Sequence, residues 1–254
     1  MSEVLNIVIP MAGRGSRFAK EGYALPKPLI SVHGVPMIRL VIGNLKPMEE
    51  HRFIFLCLRD HIERYRVDKS LQEWAPGCEV VVVDQVTEGA ACTVLLAKRL
   101  IDNNDTLMIA NSDQWIDMDI NGYLVRMDEQ GLDGLIMTMW ADDPKWSFVS
   151  LDSTDRVTKV VEKEVISNEA TVGVYNFKRG SDFVRAAEQM IKRDLRVNGE
   201  FYVAPAYNEL ICDGAKVGYF NIGEAGDGMY GLGIPEDLCA FTALSISKAA
   251  VDAL

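Results

Sequence analysis

Short apolar runs with little polar alternation recur through the first half of the chain: Leu5–Pro10, Phe53–Leu58, Val80–Val83 and Leu107–Ala110. This is the pattern of strands buried on both faces. Between them, residues 36–45, 61–74 and 89–101 repeat apolar positions at helical spacing. Strand–helix–strand order predicts a mostly parallel central sheet with helices on both faces. In such sheets ligands bind beyond the carboxyl ends of the strands. The segments 11–18, 84–90 and 111–117 each follow a strand and are expected to meet there.

The rhythm changes in the second half. Leu135–Trp140, Phe148–Leu151, Val157–Glu162 and Thr171–Phe177 read as strands with turns between them, and so as antiparallel additions to the sheet. Helices are expected at 182–193 and 202–212, a strand at 217–222, and a last helix from Pro235 to the end. Pro235 with Glu236 and Asp237 makes a good helix start, since proline suits the first turn and acids complement the positive end of the helix dipole. With no repeat, low-complexity tract or linker, residues 1–254 read as one α/β domain.

The loop after the first strand reads Met11-Ala12-Gly13-Arg14-Gly15-Ser16-Arg17-Phe18, and Pro26-Lys27-Pro28 follows. Glycines let backbone N–H groups approach phosphate oxygens. Arg17 and Lys27 supply positive charge, and the prolines fix the backbone from which Lys27 extends. This suits capture of a triphosphate. A dinucleotide-binding loop would have a third glycine where Phe18 stands and a helix directly after the loop. The G-K-[ST] of a Walker loop is absent, as are the H-R-D and D-F-G of a protein kinase.

Strand, glycine loop, arginine and Pro-Lys-Pro in this order resemble the sugar-phosphate nucleotidyltransferases, whose signature is G-x-G-x-R-[LF] followed by P-K-P. Glucose-1-phosphate thymidylyltransferase and the bacterial cytidylyltransferases of surface-polysaccharide synthesis are members. The resemblance implies the Rossmann-like nucleotide-diphospho-sugar transferase fold and a Mg2+-dependent transfer to a small phosphorylated acceptor. Arg17 and Lys27 take the catalytic places. The nucleotide contacts would come from Met11, Ala12, Gly13, Gly15 and Ser16, from Gln85, Gly89 and Ala90, and from Ser112. Gln85 would read the base edge, since its amide offers both a donor and an acceptor. By the same resemblance a pyrimidine (CTP, UTP or dTTP) is favoured. Asp113 matches the strand-end aspartate that binds magnesium, as expected for a hard cation bridging dense phosphate charge.

Glu162-Lys163 resembles the E-K-P acceptor motif, with Glu164 in place of proline, and Glu200 follows a glycine in a second acceptor pair. Gly231-Leu232-Gly233-Ile234-Pro235-Glu236-Asp237-Leu238 resembles D-x-G-T-P-E-D-L, but Gly231 stands where many members carry a second metal-binding aspartate. Asp227 or Glu224 could supply that carboxylate from the preceding loop. Two other readings stay open. Asp117-Met118-Asp119 is the D-x-D of a metal-dependent glycosyltransferase, and the missing aspartate suits a non-catalytic nucleotide-binding homologue.

Composition bounds the partners. The net charge of −11 argues against a nucleic-acid backbone. Five scattered cysteines without C-x-x-C pairing suggest neither a disulfide framework nor a zinc site. There is no basic stretch at the N-terminus and no apolar run of bilayer length. A cytoplasmic protein with no membrane partner is expected, and its apolar final helix permits a homodimer. The three histidines fall outside every motif, consistent with a reaction that needs no general base.

Overall fold

The computed structural model describes residues 4–254. Thirteen strands form in chain order among these residues: β1 (Leu5–Pro10), β2 (Ser31–Val32), β3 (Val35–Pro36), β4 (His51–Leu58), β5 (Glu79–Val83), β6 (Leu107–Ala110), β7 (Gln114–Ile116), β8 (Gly134–Trp140), β9 (Ser147–Leu151), β10 (Val157–Glu162), β11 (Glu169–Phe177), β12 (Val217–Ala225) and β13 (Gly228–Gly231). All but the β2–β3 hairpin belong to one sheet, ordered β5-β4-β1-β6-β11-β8-β12-β13-β7, with β9 joined to β11 and β10 to β9. The first four strands are parallel, Ile7 lying opposite Phe53 on one side and Met108 on the other. From β1 the chain moves outward to β4 and β5, then returns to place β6 on β1's other flank. The reversal opens a crevice beyond the carboxyl ends of β1 and β6, where ligands of open α/β sheets bind.

The apolar runs lack alternation because both faces of the sheet are covered. Ile7 and Ile9 pack on one face with Val41 and Ile42 of the helix Met37–Leu45 and Tyr123 of the helix Ile120–Glu129. Val8 packs on the other face with Val94 of the helix Ala90–Leu95 and Phe183 of the helix Gly180–Lys192. Each such aliphatic side chain removed from water contributes about 1.5–3 kcal/mol before entropy is counted. A third cluster joins Phe18, Ile30, Val32, Tyr230, Leu232 and Phe241 beside the crevice.

Several expectations need correction. In the sheet β11, β10 and β7 run against the core, whereas β8, β9, β12 and β13 run in the direction of β1, because β11 reverses direction beside β6 and its neighbours β8 and β9 reverse it again. β5 is an edge strand rather than a doubly buried one, and Val82 is exposed. The helical pattern over 61–74 breaks into Arg59–Tyr65 and Val67–Trp74, because Arg66 adopts a left-handed conformation at φ 53°. Similarly, 89–101 divides into Ala90–Leu95 and Lys98–Ile101, and the 202–212 helix begins only at Ala206. The C-terminal helix is two helices, Pro235–Thr242 and Ser245–Asp252. Phe241 and Ala250 face the third cluster, so much of the apolar surface that suggested a dimer is used within the chain.

The short strands β2, β3, β7 and β13, the helix Ser16–Lys20 and the helix Ile120–Glu129 were not anticipated. The glycine loop therefore does lead directly into a helix, although a short one. β7 gains a second set of bonds from a side chain. Asn44 donates to the Ile116 carbonyl and accepts from its N–H, both at 2.8 Å.

Phe177 tests the second core face. It is fully buried, with ring centroids 4.4 Å from Tyr207 and 5.1 Å from Phe183. Phe177→Ala is expected to lower unfolding free energy by about 3–5 kcal/mol in urea titrations, with little change in slope. A loss below about 1 kcal/mol would contradict this packing.

Candidate active site

The glycine loop leaves β1 and enters the helix Ser16–Lys20 through Gly15, which lies in the left-handed region at φ 57°. A Cβ there would also stand 3.2 Å from the Lys27 Cβ, so glycine lets the Pro-Lys-Pro arm close on the loop. Pro26 precedes and Pro28 lies within a 3-10 turn, Lys27–Leu29, that starts at the lysine. From it, Lys27 Nζ reaches across the crevice to Asp113 Oδ2 at 2.7 Å. Asp113 follows β6, and its backbone carbonyl accepts from Leu232 N at 2.8 Å. A Cβ on Gly233 would lie 2.7 Å from Asp113 Oδ2, so that carboxylate uses space left by a glycine.

Arg17, Asp113 and Gly233 border a cleft of about 690 Å³, whereas residues 11–16 and Lys27 do not line it and Lys27 reaches it through its contact with Asp113. Arg17 and Lys20 line it, and neither has a carboxylate partner within 4 Å among the described residues. Glu21, Glu236 and Asp237 line the same cleft, so these unpaired cations share it with carboxylates. Gln114, which is buried, also lines the cleft, and its Nε2 has no hydrogen-bond partner. A buried amide donor without an acceptor marks a place where a ligand oxygen would be favoured.

The opposite wall comes from Lys145, Trp146 and Lys163, which flank the open end of the β9–β10 hairpin, while Glu162 is buried at the end of β10 and does not line the cleft. Burial raises the Glu162 pKa, opposed by a short hydrogen bond from the Ser147 hydroxyl. Lys163 sits at φ 58°, held by its N–H to the Trp146 carbonyl at 2.9 Å. Its ammonium lies 5.1 Å from the Tyr202 ring centre, and a hydrogen bond to the Tyr202 hydroxyl raises its pKa. Lys145 and Trp146 also line this wall, with the Lys145 ammonium 5.1 Å from the Trp146 ring centre. The sequence reading missed both residues. An aromatic and a lysine beside Pro144, just before a strand, were the available signal.

The remaining candidates take other places. Met11 and Ala12 bury their side chains in the two main core clusters, and the Met11 N–H donates to the Leu56 carbonyl at 3.0 Å. Gly13 is exposed on the loop, Ser16 is exposed at the start of the helix Ser16–Lys20, and Ser112 is buried; none of the three lines the cleft. Gln85 is exposed and does not line the cleft. Gly89 is needed for packing, since a Cβ there would meet the Phe201 carbonyl oxygen at 2.4 Å, and Ala90 begins the helix behind it. Glu200 closes a tight turn with Val197 and does not line the cleft either. Asp227 is exposed in the turn between β12 and β13, away from the lining.

Asp237 lines the cleft instead, and a Cβ on Gly231 would stand 3.1 Å from its Oδ2. A carboxylate from the first turn of the next helix thus reaches the neighbourhood of the absent side chain. Asp119 caps the helix Ile120–Glu129, accepting from Asn121 N at 3.0 Å, and neither Asp117 nor Asp119 lines the cleft. This removes the geometric support for a D-x-D metal site. All three histidines lie outside the cleft. Among the described residues, no group of three or more His, Cys, Asp or Glu is placed to hold a metal ion, and no helix is long and apolar enough to cross a membrane.

The model of the nucleotidyl transferase family matches residues 7–202. The chain belongs to this family. It is 26% identical to a nucleoside-diphosphate-sugar pyrophosphorylase from Vibrio cholerae RC9, with a TM-score of 0.81 over 94% of this chain and 100% of that one. The inositol-1-phosphate CTP transferase of T. maritima shares the fold at 15% identity, with a TM-score of 0.73 over 99% and 97% of the two chains. A curated relative, the bifunctional protein GlmU of Methanococcus aeolicus, is 23% identical over 178 residues. That match takes in 68% of this chain but only 40% of GlmU.

Glu162 offers a test of the packing behind Lys163. Its pKa is raised by burial above the usual 4.5, so the folded state holds the proton more tightly than the unfolded chain. The stabilisation is present below the unfolded pKa and is lost as pH rises through the folded value. The melting temperature of wild type minus that of Glu162→Gln is therefore expected to rise as pH falls from about 7.5 to about 4.5. A flat or opposite trend would contradict the burial.

Proposed function

We propose that this chain transfers the nucleotidyl group of a nucleoside triphosphate to a small phosphorylated acceptor and releases pyrophosphate. The observation that carries this reading is the glycine loop with Lys27 crossing to Asp113 above the crevice between β1 and β6. Family membership and the similarity to a nucleoside-diphosphate-sugar pyrophosphorylase support it.

An acceptor phosphate oxygen attacks the α-phosphorus in line, and pyrophosphate leaves with the electron pair of the broken P–O bond. A phosphate monoester is largely ionised near neutral pH, its second pKa being about 6, so no protein base is required. Positioning and charge stabilisation carry such a transfer. Loop N–H groups, Arg17 and Lys27 hold the triphosphate and the developing charge on the leaving pyrophosphate. Lys163 aligns the acceptor phosphate from the opposite wall. Lys145 and Trp146 border the acceptor's remaining groups.

Asp113 and Asp237 would hold Mg2+. Hard carboxylate oxygens on one cleft suit this ion, which is usually bound by one or two carboxylates together with substrate phosphates. When bound, the ion would neutralise phosphate charge. The base is a pyrimidine by resemblance, so CTP, UTP and dTTP are the first nucleotides to try. The acceptor is a sugar phosphate or other small phosphoester, in keeping with surface-polysaccharide precursor synthesis in the cytoplasm.

Pyrophosphate release should be assayed over a panel of nucleoside triphosphates and phosphorylated acceptors. One pairing is expected to turn over. Lys27→Ala and Arg17→Ala are each expected to lower kcat/KM by about 10²–10³-fold with melting temperature nearly unchanged. Near wild-type turnover in either variant would refute the assignment. Nucleotide binding with no turnover across the panel would favour a binding protein.

A further inference from the structure

A second cavity, of about 500 Å³, lies between the turn of the β9–β10 hairpin, the helix Ile120–Glu129 and β12. Arg126, Gln130, Thr154, Asp155, Arg156 and Tyr219 border it, and it shares no lining residue with the catalytic cleft. Neither arginine has a carboxylate within 4 Å among the described residues. The Gln130 amide, turned so that its oxygen faces Arg126, accepts from Nε at 3.0 Å and Nη2 at 3.1 Å, which fixes the plane of that guanidinium. Arg156 Nη1 is shut off from solvent and has no hydrogen-bond partner. Leaving a donor of a charged group buried and unpaired is costly, and an anion that drew the Arg156 guanidinium into the cavity would remove that cost.

The turn that carries Arg156 is already ordered. Asp152 accepts from Thr154 N and Oγ1 at 2.7 Å each and from Arg156 N at 3.1 Å. Asp155 is the one acid on the lining, so two guanidinium groups face a single exposed carboxylate. The Tyr219 hydroxyl adds a donor with no partner among the described residues. Planar guanidinium forks match phosphate oxygens in shape as well as charge.

We infer that this cavity is a second ligand site, one that takes the phosphate of a small phosphomonoester between Arg126 and Arg156. The hairpin gives the site a mechanical link to the catalytic cleft. Its turn forms one wall of the second cavity, while its open end carries Lys145 and Trp146 on one side and Glu162 and Lys163 on the other. Phosphate drawing Arg156 toward Arg126 clamps the turn to the helix and so steadies the acceptor wall.

Hydrogen–deuterium exchange of the full chain, with inorganic phosphate as probe and chloride at equal ionic strength as control, tests this directly. Phosphate is expected to slow exchange over residues 152–158 by about threefold or more. Arg156→Gln should need about tenfold more phosphate for the same effect, and Arg126→Gln likewise. Protection over the glycine loop, residues 11–18, belongs to the other site and should persist in both variants. Should Arg156→Gln fail to fold, the exposed Arg126→Gln carries the test alone. Unchanged exchange over 152–158 in saturating phosphate, or protection undiminished in the variants, would overturn the proposal.

Discussion

The site depends on one ion pair, Lys27 to Asp113, which spans the crevice between the ends of β1 and β6. Both side chains are about one-fifth exposed, at 22% and 23%, so the cost of desolvating them offsets much of their attraction. The pair's value is positional. One partner sits on an arm stiffened by two prolines, the other on the end of a fully buried strand. The arm in turn rests on the third hydrophobic cluster, where Ile30 and Val32 meet Phe18 of the glycine-loop helix and Leu232 of the segment that bonds Asp113. Loop, arm and strand end are therefore held by one body of packed side chains. A phosphate entering the cleft meets charges already in place, with little left to order.

The charge distribution follows the same logic. The chain carries a net charge of −11, yet Arg17 and Lys20 on one wall of the cleft lack ion-pair partners, and Lys145 and Lys163 stand on the other. The lining balances these four basic groups with Glu21, Asp113, Glu236 and Asp237, so the cleft is neutral by count within an acidic body. The two walls also differ. The triphosphate wall is built from a rigid loop and its arm, and the acceptor wall from a hairpin joined to the sheet at Phe148–Ala170. Differences in acceptor are most easily accommodated on a wall of that kind.

The parallel core was legible because burial on both faces leaves a simple mark, an apolar run without alternation. The glycine loop and Pro-Lys-Pro were legible because the chemistry fixes both residue type and spacing. Legibility failed where tertiary context decides. β8 and β12 look like any other half-buried strands in sequence, and their direction is set only by the reversal at β11. Arg66 breaks a helix by its left-handed backbone without the glycine that usually announces it. Asp237 was read as a helix-start residue, and it is one, but the same first turn brings its carboxylate to the space above Gly231. Gly89 was expected among the nucleotide contacts, whereas the contact that excludes a side chain there is the Phe201 backbone, more than a hundred residues away in sequence.

Identifying the phosphorus-containing product by 31P NMR tests the central claim most directly, using whichever nucleoside triphosphate and acceptor phosphate pair is consumed. Attack at the α-phosphorus predicts free pyrophosphate together with a new diphosphate diester joining nucleoside and acceptor, in equal amounts. Release of a nucleoside diphosphate or of inorganic phosphate as the primary product would place the reaction elsewhere on the triphosphate and contradict the account.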